Sequence, residues 1–159
     1  MIELLRMLEK DSTATHAQLA SMLGKSEGEI REAIGAFEKE GVIARYRAVI
    51  NWDKIDAEMV KAFIDIKVTP QEGEGFDRVA ARIYNFDEVE SMYLCSGGFD
   101  LSALVTGRSM KDVALFVAEK LAPLEAVTGT ATHFILKRYK DGGVVFEQPQ
   151  QQQERILMV

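Results

Sequence analysis

Lys25, Arg31, Arg45 and Arg47 stand in one short stretch, with Lys39 among them near a helix end, and cations so placed can neutralise phosphates of a nucleic-acid backbone and release their counterions. Little else in the chain has the types and spacing for chemistry. The histidines are His16 and His133, and the one cysteine is Cys95. Nothing pairs a nucleophile with a base, no spacing suits a metal, and no glycine-rich phosphate loop is present. Neither catalysis nor a cofactor or metal is expected. His133, mid-strand among apolar residues, reads as a hydrogen-bonded interior histidine. Cys95 reads as a small buried hydrophobe.

The elements that must hold those cations are well signalled. In THAQLASMLGKSEGEIREAIGAFEKEGVI (15–43), Thr15 with Gln18 and Ser26 with Glu29 are capping boxes. Leu19, Ala20 and Leu23 form one apolar stripe, and Ile30, Ile34 and Phe37 another. Gly24 and Gly41 stand where each helix must stop. Leu4, Leu5 and Leu8 supply a preceding helix. The layout is a helix-turn-helix, which lays its second helix in a DNA groove. Ser26 at its start and Glu27, Gly28, Arg31, Glu32 and Gly35 on its open face are the candidate DNA contacts, with Lys25 in the turn and Arg45 and Arg47 beyond it. That face is poor in positive charge. Glu27 and Glu29 suit a helix N-terminus. Glu32 has no such role, although a Glu can accept a hydrogen bond from cytosine N4. Gly28 and Gly35 each cost a helix interior about 1 kcal/mol relative to Ala.

The totals bound the rest. A chain of 159 residues suffices for one or two domains. A single cysteine excludes an internal disulfide framework and suits a reducing compartment. The net charge of −6 argues mildly against a protein that coats nucleic acid. Residues 1–56 carry 8 basic and 10 acidic residues, so the acid excess reaches the DNA-reading segment too. No apolar run approaches the roughly 20 residues of a membrane span, and the first residues lack the pattern of a secretion signal. A cytoplasmic protein with no membrane partner is expected.

After residue 40 the period changes. GVIARYRAVIN (41–51) reads as one or two short strands, and residues 51–58 as a linker. From Met59 the order is strand, helix, strand, strand, helix, strand: 59–68, 76–84, 89–96, 99–107, 109–122 and 127–140. Gly97-Gly98 is a two-residue hairpin signal. This βαββαβ order is the ferredoxin-like pattern, an antiparallel sheet with both helices on one face. Lys61, Phe63, Asp65 and Lys67 point to the other face, a mixture too aromatic for a surface meant only for water, and a homodimer through the sheet is expected. The tail (148–159) is a glutamine-rich spacer ending in strand-like Arg155-Ile156-Leu157-Met158-Val159.

An α+β chain with a winged helix-turn-helix (1–50), a linker (51–58) and a ferredoxin-like domain (59–147) resembles the Lrp/AsnC family of amino-acid-responsive regulators. FEKEGVIARYRAVIN, SGGFD (96–100) and QERILMV carry the likeness. The resemblance implies double-stranded DNA as partner, a small-molecule effector, usually an amino acid, and homodimers that build tetramers or octamers. By position it implies an effector pocket drawn from Leu94, Ser96, Gly97, Gly98, Phe99, Asp100, Met110, His133, Phe134 and Ile135. Asp100 would meet the ammonium, and the Gly97-Gly98 backbone the carboxylate. The other reading of these residues is a tight turn that Asp100 caps. Many family members carry paired basic residues where this chain has Glu32-Ala33 and Gly35-Ala36. A sensor or co-assembly subunit that binds DNA weakly is therefore the alternative function. Some similar proteins decarboxylate sirohaem with histidines near Met92-Tyr93-Leu94, where this chain has none.

Overall fold

The computed structural model describes residues 1–55, 57–69 and 75–146, so the expected terminal strand lies outside the described residues. The described residues divide into two compact units: Met1–Asn51 together with Tyr139–Phe146, and Trp52–Arg138.

In the first unit, helices α1 (Ile2–Lys10), α2 (His16–Leu23) and α3 (Glu27–Lys39) share one core of Leu4, Leu8, Leu19, Ala20, Ile30 and Ile34. Both capping boxes form. The Thr15 N–H donates to Gln18 Oε1 at 2.8 Å, and the Ser26 N–H to Glu29 Oε2 at 2.9 Å. Gly24 closes α2 in the left-handed region, φ 62. After α3, Gly41 (φ 73) turns the chain so that the Ile43 N–H reaches the Phe37 carbonyl at 3.1 Å.

Among the described residues the strands expected over 41–51 do not form, and 44–50 have no ladder partner there. The short strands of this unit are instead β5 (Lys140–Asp141) and β6 (Val144–Val145), paired around Gly142-Gly143. Gly142 is required there twice over. Its φ is 51, and a Cβ would lie 2.8 Å from a Val49 methyl.

The second unit is the expected βαββαβ: β1 (Val60–Val68), α4 (Gly75–Tyr84), β2 (Val89–Leu94), β3 (Leu101–Gly107), α5 (Met110–Phe116, continued by a π-helical turn, Val117–Leu121) and β4 (Val127–Phe134). The strand order β2-β3-β1-β4 is antiparallel throughout. Ala62, Ile64, Ile66 and Val68 of β1 pack with Val79 and Ile83 of α4 and Val113 and Phe116 of α5. The last long strand is shorter than expected, ending at Phe134.

On the other face, Phe63 stands opposite Leu104 and His133, and Tyr93 opposite Ser102. Charged and polar contacts surround them: the Lys61–Glu90 ion pair at 2.7 Å, His133 Nε2 against an Asp65 carboxylate oxygen at 3.2 Å, and the Lys67–Asp100 ion pair at 3.3 Å. His133 is thus not interior. Its register with Phe63 turns it outward, and its side chain is 61% exposed. Cys95, one residue beyond β2, is exposed rather than buried.

Candidate functional site

The open face of α3 is as expected. Ile30 and Ile34 are buried beneath it, while Glu27, Gly28, Arg31, Glu32 and Gly35 are exposed, as are Lys25 and Ser26. Several acids near this face are already engaged. Glu29 caps the helix and lies 3.7 Å from Lys25. Its carboxyl is held below the usual range, first by the Ser26 N–H, then by the Ser26 hydroxyl and the Lys25 charge. Glu38 accepts the Tyr46 hydroxyl at 2.9 Å, and burial followed by that contact pushes the phenol upward. This bond ties residues 44–50 back to α3, with Arg45 and Arg47 exposed on either side. The Tyr46–Glu38 contact is one that sequence reasoning missed. The signal available was an aromatic set between two arginines, eight residues after a glutamate.

The effector candidates do not come together in one chain. Leu94, Ser96, Gly97, Gly98, Phe99 and Asp100 gather at one end of the sheet. The turn there is not the expected two-residue hairpin. Leu94 pairs with Leu101, and residues 95–100 form a wider loop closed by the Cys95 N–H on the Asp100 carbonyl at 2.8 Å. Asp100 explains the width, because it is drawn onto β1. Its N–H donates to the Ile66 carbonyl at 3.1 Å, and its carboxylate accepts the Val68 N–H at 3.0 Å. The other group lies toward the opposite end. His133 pairs with Phe63, Phe134 with Ala62, and the Ile135 N–H bonds to the Lys61 carbonyl. Met110 follows β3, which ends opposite Val60. Five strand residues between Phe63 and Val68 are about 16 Å, too far for one amino acid to bridge. Phe134 packs into the core, and Ile135 lines a separate cleft of about 170 Å³ with Trp52, Met59 and Arg138.

Residues 2–44 match the winged helix-turn-helix DNA-binding family, and residues 61–145 match the Lrp/AsnC ligand binding domain. The chain belongs to the Lrp/AsnC family. It is 52% identical, over 91% of its length and 88% of the relative's, to the uncharacterised HTH-type transcriptional regulator YugG of Bacillus subtilis. The leucine response regulatory protein of Mycobacterium tuberculosis is 25% identical, with a TM-score of 0.73 over 87% of this chain and 92% of that one. A Neisseria meningitidis transcriptional regulator in complex with L-methionine shares the fold at 20% identity, with a TM-score of 0.71 over 94% of both chains. As an Lrp/AsnC chain this protein joins an HTH module to a ligand-binding domain, and its curated relatives are transcriptional regulators. Among the described residues no helix is long and apolar enough to cross a membrane.

In this Lrp/AsnC protein Asp100 has a structural task whatever else it does. The Val68 N–H, followed by Lys67, holds its carboxyl below the usual value against the opposing effect of desolvation. A folded-state value below the unfolded one, about 3.9, gives stability present above that pH and lost as pH falls through the folded value. Asp100→Asn is therefore expected to melt below wild type at neutral pH. The gap should close as the pH is lowered below about 4, read by thermal melts across a pH series.

Proposed function

We propose that this protein is a DNA-binding transcription regulator whose assembly or DNA affinity responds to a small molecule, an amino acid being the class that fits best. The observation that carries the reading is the presence, in one chain, of a helix-turn-helix with its capping boxes formed and an Lrp/AsnC ligand-binding domain. The open sheet face is its dimer surface, and dimers associate further, to a tetramer or octamer. Because the effector candidates occupy opposite ends of the sheet, an effector on Ser96–Asp100 would draw its remaining contacts from a neighbouring copy. The L-methionine complex of the Neisseria protein supports the amino-acid class.

Gly98 probes that arrangement. Its φ is not positive, and a Cβ there would meet nothing within 4 Å. Gly98→Ala is expected to leave stability within about 0.5 kcal/mol while weakening effector response, because the space it fills is the effector's. A response equal to wild type would move the effector elsewhere.

A second reading, a sensor or co-assembly subunit with weak DNA binding, is favoured by one observation: Arg31 is the sole cation among residues 27–35, against three glutamates. Binding to the DNA upstream of its own gene, across a salt series with and without an amino-acid pool, separates the two. Affinity falling with log[salt] at about −0.9 per phosphate neutralised, and shifting with the pool, supports the regulator. An absence of binding at low salt supports the subunit.

A further inference from the structure

We infer that Glu32 is a base-reading residue, whose carboxylate selects cytosine in the half-site through the N4 amino group. The inference rests on the reading of α3 as a DNA-groove helix.

Every other acid within α3 has a task or a favourable place. Glu29 caps, Glu38 holds Tyr46, and Glu27 sits in the first turn, where the helix dipole welcomes a carboxylate. Glu32 lies beyond the reach of that dipole, exposed, on the side opposite Ile30 and Ile34. It makes no hydrogen bond or ion pair among the described residues.

Four residues before it and three after stand Gly28 and Gly35, while Glu29, three before, is turned back onto the Ser26 cap and Ala36, four after, carries only a methyl. Neither glycine is demanded by the chain itself. Neither has a positive φ, and a Cβ would meet only Ser26 Oγ at 3.9 Å at the first and nothing at the second. Two glycines that weaken the helix and relieve no internal contact leave Glu32 standing alone on a bare strip. Such a strip lets the helix backbone approach an outside surface closely, with one carboxylate at the centre of contact. In an HTH module that surface is the major groove.

A carboxylate only accepts hydrogen bonds, and the groove edges then decide its partner. Guanine offers the acceptors N7 and O6, and thymine an acceptor and a methyl group. Adenine sets its N6 donor beside an N7 acceptor that repels the carboxylate. Cytosine N4 is the donor free of that conflict. Phosphates also repel Glu32, so it is tolerated only at mid-groove, where bases rather than backbone face it.

The test is selection of bound sequences from a randomised duplex pool by the full-length wild type, Glu32→Gln and Glu32→Ala, each checked for fold by circular dichroism. Wild type is expected to enrich a fixed cytosine, and to lose about 5- to 150-fold in affinity when that pair alone is changed. Glu32→Gln is expected to prefer adenine at that position, through N6 and N7. Glu32→Ala is expected to lose preference there and keep it elsewhere. Unchanged base preference in both variants overturns the inference and leaves DNA binding standing. So does an equal tightening by Glu32→Ala on all sequences, which would make Glu32 merely a repulsive charge. No enrichment by any of the three proteins at low salt overturns the inference together with the groove-helix reading beneath it.

Discussion

Phe63→Asp is expected to convert the proposed dimer into a monomer, read by size-exclusion chromatography with light scattering at micromolar concentration. Phe63 lies on the central strand β1, 45% exposed, between Leu104 and His133. The ion pairs Lys61–Glu90 and Lys67–Asp100 bracket it along the strand. An apolar centre with a charged rim is the anatomy of a protein interface. Truncating a central aromatic anchor costs about 2 kcal/mol or more, and a buried unpaired carboxylate adds several more. The dimer dissociation constant is therefore expected to rise at least about 30-fold. The core should persist, because Ala62 and Ile64, on either side in sequence, face the opposite way. A monomeric wild type, or an unaltered dimer in the variant, would remove the sheet face from the assembly. Loss of the dimer also uncouples two reading heads, so DNA affinity should fall with it through lost bivalency.

The sequence was most legible where structure is local. Capping boxes, helix stripes and strand alternation each act over a few residues, and α1 to α5 and β1 to β3 form close to the expected places, while β4 stops six residues short of its expected end at 140. Legibility failed where a distant partner decides. Residues 41–51 have the composition of strands, but a strand needs a ladder, and the pairing in this unit went to residues 140–145. The Gly97-Gly98 signal for a tight hairpin was overridden by Asp100, which bonds to the end of β1, more than 30 residues earlier in the chain. His133 precedes Phe134 and Ile135, and a run of apolar neighbours does not reveal which parity faces inward; register with Phe63 decides it. The candidate site was legible in part. The open face of α3 followed from helical geometry alone, whereas the split of the effector residues between two ends of the sheet depends on strand order, which no short motif encodes.

Ile30→Ala is expected to bring the HTH unit close to unfolding while leaving the other unit and the proposed dimer in place. Ile30 is fully buried, in a core it shares with Leu4, Leu8, Leu19, Ala20 and Ile34. Removing its outer carbons leaves a cavity costing about 2–5 kcal/mol. A unit of some fifty residues has only about 3–8 kcal/mol of stability in total, so the loss takes most of it. The second unit keeps its own core around Ile64, Ile66, Leu101 and Val113. Calorimetry is expected to show two transitions, with the lower one displaced by at least about 8 °C. A single transition that shifts as a whole would mean that the two cores melt as one. The variant also sharpens the choice between regulator and co-assembly subunit. If its chains pair through the sheet as proposed, mixing them with wild type yields dimers with one sound reading head. If each head reads one half-site, affinity in the mixture falls by the effective concentration that the second head supplied. If DNA binding was never the task, the mixture behaves as wild type does.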